Sequence, residues 1–497
     1  MTRSFIYLLI VLTLFTRFIK IDWGNGYYFH PDENNMAQSI TQLSLKNLNP
    51  HFFAYSQFPL YLSFFSLKFF NQPNNFTNSV LTLRLYSAIF SSLTVLILYL
   101  ISKKLFKEKF YQFIFTLLII FSPGLIQLAH FGTTESLLIL VFAANIYLSQ
   151  QYLQKPNNKY LILASVISGI GLATKITAIF FIFPILLSLI FTKKIKQTLL
   201  FLISTVLLSF LLSPFNLLDF ANFKLAINYE TAVATGKNLV FYTRQFLNTP
   251  DYLFQFTHIF PYVLGLPVFI LGLLGFFLVL FKGKGKAGVW LLIFLPALIY
   301  FLYNAQLFTK WTRFMSPIFF IFPLLATYFF TKIKNKLFTL LLVIICLVPG
   351  IMFLNLYLRP DIRVTATDWI DSQIPQNSQV LSESGNVINL PITSHISVNN
   401  FDFYTLDNNN LASQLVKSDY IIIPSRRVFK NYQYSYYKYL FNGQLGFSLI
   451  KEFTPATDFL LNPENAEETW TVFDRPTIRI YQKTTPLTLS QYQQLLL

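Results

Sequence analysis

The sequence predicts an α-helical polytopic membrane protein of about eleven transmembrane helices, followed by a small C-terminal extracytoplasmic α/β domain. Three observations carry that prediction. Of the 497 residues, 54% are hydrophobic and only 12% are charged, against roughly 25% charged in a soluble domain. Apolar stretches of near-spanning length, about 20 residues for a helix that crosses the hydrocarbon layer, recur through the first 355 residues. Lysine clusters then alternate with these stretches as a membrane topology requires.

In chain order the apolar stretches lie at 5–21, 79–102, 110–129, 134–152, 160–174, 176–192, 197–213, 260–281, 288–303, 314–330 and 337–355. The first has the length of a secretion signal, but no small-residue cleavage site follows it, so it is expected to span. Lysines cluster after the even-numbered helices: Lys103, Lys104, Lys107 and Lys109; Lys155 and Lys159; Lys193, Lys194 and Lys196; Lys282, Lys284 and Lys286; Lys332, Lys334 and Lys336. Basic loops stay in the cytoplasm, which places the N-terminus inside. Residues 160–192 carry one charge, Lys175. Read as one long helix they would invert every later loop, so two short helices turning near Thr174-Lys175 at the outer face are expected. Two outer loops are large, 22–78 and 214–259.

After Leu356 the composition turns soluble, with Asn, Asp, Ser and Pro turns, strand-type runs at Tyr420–Ile423 and 477–481, and a short helix around Asp368 to Ser372. An odd number of spans puts this region outside. The expected division is therefore a transmembrane domain at 1–355 and an extracytoplasmic α/β domain at 356–497, in a multi-pass cell-membrane protein surrounded by lipid. Net charge is +17, yet residues 1–355 hold 27 Lys and Arg against 8 acids, while residues 356–497 hold 11 against 13. The excess sits where orientation uses it, which argues against a nucleic-acid partner. The single cysteine, Cys346, excludes an internal disulfide. There is neither a Gly-rich phosphate loop in the tail nor an internal repeat.

The scarce acids mark the chemistry. Seven of the eight face outward in this topology, among them the adjacent pair Asp32-Glu33. An ionised pair beside a membrane is costly unless it is used. Pro31 suits a first helical position, and Met36, Ile40 and Leu43 follow at helical spacing, so both carboxylates should occupy the first turn of a helix along the outer interface. There the helix dipole favours their charged form by roughly 0.3 to 1 kcal/mol. The plain alternative is that the pair only caps that helix. His130-Phe-Gly-Thr-Thr-Glu135, Ala173-Thr-Lys175 and Lys310-Trp-Thr-Arg313 stand at other outer helix ends. Cations beside carboxylates suit a phosphate-bearing substrate and a general base together. Each also has a simpler reading, Glu135 as an acid at a helix start, Lys175 snorkelling, His130 as a wall residue, and Arg84 as a marker of the membrane boundary. In the large outer loop, Tyr229, Glu230, Lys237, Tyr242 and Arg244 are candidates for a cover or for an acceptor surface. His30 and His51 are a conceivable metal pair with the acids, but no ligand spacing supports one, so a divalent metal ion as cofactor is left open.

These motifs, His30-Pro31-Asp32-Glu33, His130 to Glu135, Gly171-Leu-Ala-Thr-Lys175 and Lys310-Trp-Thr-Arg-Phe314, resemble those of membrane glycosyltransferases of the GT-C class, near the protein O-mannosyltransferase (family 39) and aminoarabinose-transferase branch. The resemblance covers most of residues 1–355. The tail, with Glu468-Thr-Trp-Thr-Val-Phe-Asp474, is similar to tails of related bacterial members and differs from the carbohydrate-binding repeat domain of eukaryotic O-mannosyltransferases. The resemblance implies a cell-envelope enzyme that moves a sugar from a polyprenyl-phosphate donor to a hydroxyl of a glycan, lipid or protein acceptor at the outer face, with inversion. It also implies Asp32 as catalytic base with Glu33 as its partner, and His30, His130, Glu135, Lys175, Lys310 and Arg313 as substrate-binding residues. The competing class is a transporter or flippase of lipid-linked saccharides, which should hold ionisable groups near the bilayer midplane. The helix interiors are almost free of charge.

Overall fold

The structure, a computed structural model, describes residues 3–282, 287–383, 389–392, 396–401, 407–427, 435–455 and 458–496. Lys284 and Lys286 of one lysine cluster lie outside the described residues. The chain opens with α1 (Arg3–Phe18), then places α2 (Pro31–Thr41) and α3 (Phe58–Phe69) in the first large loop. There follow α4 (Phe76–Leu105), α5 (Lys109–Ile120), α6 (Pro123–His130), α7 (Glu135–Gln154), α8 (Asn158–Leu172), α9 (Phe183–Phe191) and α10 (Ile195–Leu212). The second large loop holds α11 (Phe215–Leu218) and α12 (Phe220–Ala234); beyond it come α13 (Phe260–Leu264), α14 (Leu266–Lys282), α15 (Ala287–Ala305), α16 (Thr312–Met315), α17 (Ile321–Phe330) and α18 (Lys336–Leu358).

Helix falls on each apolar stretch, but not as uniform rods. Among the described residues five helices are long and apolar enough to cross a membrane, and eight segments are if three bent pairs count as one span each. The stretches 4–18, 158–172 and 176–191 are shorter apolar helices. The helical run does break at Thr174-Lys175: α8 ends at Leu172 and a 3-10 turn, Ile176–Ile182, leads into α9. The stretch expected at 260–281 is not straight, because α13 and α14 meet at 116°. Gly265 makes that corner. Its φ is +79°, and a Cβ there would lie 2.6 Å from Pro349, so only glycine fits. The 51° bend between α5 and α6 begins at Pro123, which cannot continue the hydrogen-bond ladder. Arg17 of α1 answers the carbonyls this frees, donating to Ile119 O at 3.0 Å and Ile120 O at 2.8 Å.

The interhelical loops gather at two ends. At one end Lys104 donates to Gln154 at 2.6 Å and Lys336 pairs with Glu108 at 3.3 Å. At the other, Ser56 N–H donates to Thr174 O at 3.0 Å, Phe58 N–H to Ala173 O at 3.1 Å, and Thr309 N–H to Ala234 O at 3.2 Å. This second end carries all the acidic motifs.

Beyond α18 come α19 (Ile362–Gln373), β1 (Gln379–Glu383), β2 (Ser397–Phe401), α20 (Asn408–Lys417), β3 (Tyr420–Ile423), α21 (Ser435–Phe441), β4 (Phe447–Phe453), β5 (Ile478–Lys483) and α22 (Leu489–Leu496). The strands form one sheet in the order β2-β1-β3-β5-β4, with β1 parallel to β2 and β3 and with β5 antiparallel to β3 and β4. Alternate residues serve two cores, as a period of two requires. Leu381, Ile421 and Ile423 pack with Leu411, Leu415 and Tyr436, while Val380, Ile422 and Ile480 pack with Ala366 and Ile370.

The composition change after Leu356 is not a break in packing. Ala466, Trp470, Val472 and Phe473 join the main core of the helical part. Three buried arginines hold that segment: Arg363 donates to Val472 O and Phe473 O at 2.9 and 2.7 Å, Arg426 to Ala466 O at 2.9 Å, and Arg475 stacks on Trp470 at 4.3 Å. The β4–β5 side of the tail thus reaches back to the acidic end of the helices.

Candidate active site

Helix α2 begins where the sequence places it. His30 is its N-cap, accepting from Glu33 N–H at 3.4 Å, and Pro31 stands at N1. Met36, Ile40 and Leu43 are buried against α3 and α4. This sends the two carboxylates in different directions. Glu33 turns inward and is fully buried; Arg84 of α4 grips it bidentately, with both N–O distances 2.7 Å, and Gly132 N–H donates to the same carboxylate at 2.7 Å. A Cβ on Gly132 would stand 2.8 Å from that oxygen and 2.8 Å from Leu83 Cβ, which explains a glycine in the His130 to Glu135 motif. Arg84 also donates to Trp23 O at 2.9 Å and stacks on the Trp23 ring at 4.4 Å. It is therefore the internal counter-ion of Glu33 and not a boundary marker.

Asp32 turns the other way, into a cavity of about 520 Å³. Its carboxylate meets the Arg313 guanidinium from the first turn of α16, and the same guanidinium donates to Tyr55 OH at 3.3 Å. Both charged groups are about a quarter exposed. On the facing wall Lys175 lies 3.6 Å from Glu135, between the rings of Tyr55 and Phe314. Burial, and then the charges of Glu135 and Glu230, raise the Tyr55 phenol well above its ordinary pKa, so it stays a neutral hydroxyl. Glu230 of α12 also faces the cavity; burial raises its carboxyl, opposed by Lys175.

Of the sequence candidates, His30, Asp32, Glu135, Lys175 and Arg313 line this one cavity. Glu33, His130 and Lys310 do not. Glu33 lies beneath the wall, locked to Arg84. His130 is buried, stacked on Tyr357 at 3.7 Å and bonded to Ile126 O and Ile19 O, so it braces α1, α6 and α18. Lys310 is buried beside Asp251 at 3.1 Å and fixes its own loop. Tyr229 and Tyr242 of the second large loop line the cavity with Glu230, whereas Lys237 and Arg244 are not on its wall. His51 is mostly exposed near Asp219 and does not line the cavity that His30 lines. Among the described residues no three His, Cys, Asp or Glu side chains cluster as a metal site.

The sequence reading missed the wall made by the tail. Arg427, just after β3, together with Thr469 and Phe473, lines the cavity beside His30. Phe473 packs on the His30 ring at 4.4 Å, and Arg427 pairs with Glu468 at 2.8 Å. The signal was the Glu468 to Asp474 motif together with the Arg426-Arg427 doublet. Burial, and then the charges of Arg313, Arg84 and Arg427, hold the His30 imidazole well below its usual range, so it is neutral.

A second cavity, of about 610 Å³, opens at the ends of α1, α4 and α18, lined by Lys20, Asp22 and Arg359. Its buried acids are already engaged, Asp361 by Arg363 and Asp474 by Gln127, Tyr357 and Arg475. The cavity at Asp32 instead brings carboxylates and cations from distant parts of the chain together on its walls.

Residues 65–216 match the family described as dolichyl-phosphate-mannose-protein mannosyltransferase. No curated protein matches the chain in sequence. Over the whole chain the fold is similar to that of ArnT from Cupriavidus metallidurans in the apo state, with a TM-score of 0.50 at 11% identity, covering 96% of this chain and 97% of that one. The same protein bound to undecaprenyl phosphate gives 0.48 at 11% identity, covering 97% of this chain and 98% of that one. Arabinofuranosyltransferase AftD from Mycobacteria gives 0.45 at 10% identity, covering 98% of this chain and 42% of that one. The family match lies within the helical part of the chain, and the similarity of fold to ArnT extends over its whole length.

Proposed function

We propose that this chain transfers a sugar from a polyprenyl-phosphate donor to an acceptor hydroxyl at the outer face of the membrane, with inversion at the anomeric carbon and Asp32 as general base. One observation carries the reading: the Asp32 carboxylate shares a cavity with the cations of Arg313 and Lys175, which come from distant parts of the chain. The family matched by residues 65–216 supports the donor class, since dolichyl phosphate is a polyprenyl phosphate. In this reading residues 1–355 cross the membrane eleven times with the N-terminus inside, and residues 356–497 stand outside and close the cavity with Arg427, Thr469 and Phe473. The acceptor is a glycan, a lipid or a protein.

In this reading the reaction runs in one displacement. The donor phosphate draws Arg313 and Lys175, which frees the Asp32 oxygen to accept the acceptor's hydroxyl proton. The hydroxyl oxygen bonds to the anomeric carbon as the bond from that carbon to the phosphate oxygen breaks, and polyprenyl phosphate leaves with the electron pair. Negative charge grows on the departing phosphate, so cations aimed there stabilise the transition state more than the ground state. Glu33 acts through position only, by fixing the first turn of α2. The aromatic wall, with Tyr55, Tyr242 and Tyr300, offers flat faces and neutral hydroxyls to a sugar.

Purified protein assayed against a panel of polyprenyl-phosphate sugars, with release of polyprenyl phosphate as readout, tests the proposal. Release that depends on both an acceptor and intact Asp32 is expected. Movement of intact donor across vesicles, with no bond broken, would favour the transporter reading instead.

A further inference from the structure

The cavity's principal cation, Arg313, is the second residue of the four-residue helix α16, whose first backbone N–H, that of Thr312, has no partner within the helix. The structure shows what holds it. Glu467, from the tail, is buried to 1% exposure 155 residues further along the chain. Its carboxylate accepts from Thr312 N–H at 2.9 Å, from Gln245 Nε2 at 2.9 Å, and from Thr469 N–H at 3.1 Å and the Thr469 hydroxyl. Gln245 in turn accepts from Glu468 N–H at 3.1 Å. One carboxylate therefore ties together the start of α16, which carries Arg313, the second large outer loop and the tail.

Such a buried charge is tolerated only when its lone pairs are filled, and four donors fill them here. Its placement next to Arg313 is more than a fold requirement. Arg313 has a pairing partner in Asp32, and an arginine free to slide along that carboxylate would neither hold a phosphate at a fixed point nor release the base. The backbone hydrogen bond at Thr312 fixes the origin of the arginine side chain while leaving its guanidinium in the cavity, about a quarter exposed.

We infer that Glu467 is a positioning residue for the donor site: it sets Arg313 against the lipid phosphate, and so makes the C-terminal region part of donor binding. The inference rests on the proposal that Arg313 binds the donor phosphate. Two changes break the link from opposite sides. Glu467→Gln removes the charge and places an amide group where the carboxylate accepts. Thr312→Pro removes the N–H, together with a threonine hydroxyl that bonds to nothing among the described residues, at the first residue of α16 and after an extended Trp311, a position where proline is well accommodated.

The experiment is a double-mutant cycle on the full chain in detergent, with binding of decaprenyl phosphate as readout and thermal unfolding as a fold control. Arg313→Ala should weaken binding tenfold or more. Glu467→Gln and Thr312→Pro should each weaken it by about three- to tenfold in the natural background, and by less than twofold once Arg313 is alanine. Equal losses in both backgrounds, or unchanged binding in the single variants, would overturn the positioning role. Unchanged binding in Arg313→Ala itself would instead overturn the assignment of Arg313 to the donor phosphate, so the two failures are separate. If Glu467→Gln does not fold, Thr312→Pro alone decides the matter, since it leaves the acid in place.

Discussion

Two carboxylates that are neighbours in sequence meet two arginines in this protein, and the two pairs could hardly differ more. Beneath the cavity, Glu33 and Arg84 are both fully buried, locked bidentately and backed by a backbone amide. On the cavity wall, Asp32 and Arg313 are each about a quarter exposed and face open volume. The chemical groups are similar; the surroundings divide the labour. A sealed pair cannot exchange partners without leaving a bare charge in a low dielectric, so it serves as a fixed anchor. An open pair can trade its partner for a substrate, so it can work. The lesson is that a motif of two acids need not be a motif of two catalysts.

The sharpest way to break this comparison is to neutralise each acid in turn. Asp32→Asn is expected to lower kcat for sugar transfer by about 10²- to 10⁴-fold, the span of a positioned general base. Its unfolding stability should stay within about 0.5 kcal/mol, because the pair it leaves is partly solvated. Glu33→Gln should show the reverse. It leaves Arg84 buried without its counter-charge, which costs about 3–5 kcal/mol, seen as early unfolding in a thermal or denaturant series. Any activity that survives should carry an unchanged dependence on the acceptor. Full transfer by Asp32→Asn, or a stable Glu33→Gln with no activity, would exchange the two roles.

A smaller effect tests how tightly the anchor is built. Gly132→Ala puts a methyl group 2.8 Å from the Glu33 oxygen and from Leu83 Cβ. Overpacking of this kind costs about 1–3 kcal/mol, measured as a drop in unfolding stability. Since Gly132 N–H also orients the carboxylate that fixes α2, the loss should appear with a modest fall in kcat. A neutral outcome would mean that the chain at 131–133 can shift without disturbing the anchor.

Much of this was legible in the sequence, and the pattern of successes is physical. Helix ends were readable because hydropathy and lysine clusters are local signals: the helical break at Thr174-Lys175 and the start of α2 at Pro31 both follow from a few adjacent residues. The bend at Gly265 was not, since a single glycine in an apolar run says nothing about the Pro349 ring packed against it. The gathering of Asp32, Lys175 and Arg313 could be anticipated from their shared position at outer helix ends. The separation of Asp32 from Glu33 could not, because it depends on Arg84 lying 51 residues away. The largest omission was the tail. Its composition marks it as soluble, and composition carries no information about where Trp470 and Phe473 pack, so neither Arg427 on the cavity wall nor Glu467 behind it was foreseeable.

The gentlest probe of the comparison is pH, acting on His30 between the two pairs. Its imidazole caps α2 with Nδ1 toward Glu33 N–H, and its ring packs between Phe131 and Phe473. The charges that bear on it are the guanidinium groups of Arg313, Arg84 and Arg427, which after burial hold its pKa well below the usual 6.5. The unfolded chain therefore takes up a proton at this residue below about pH 6.5 while the folded chain does not, so folded stability is fully present above that pH and is lost as pH falls toward the folded value. One such group changes stability by at most about 1.4 kcal/mol per pH unit. His30→Asn keeps a capping side chain and removes the titration, so its stability should decline less steeply between about pH 6.5 and 5 than that of the natural protein, with little difference at pH 8. Parallel slopes would mean that His30 takes up its proton in the folded state, which would require an acid to approach it and would erase the distinction between a sealed anchor and an open wall at the point where they touch.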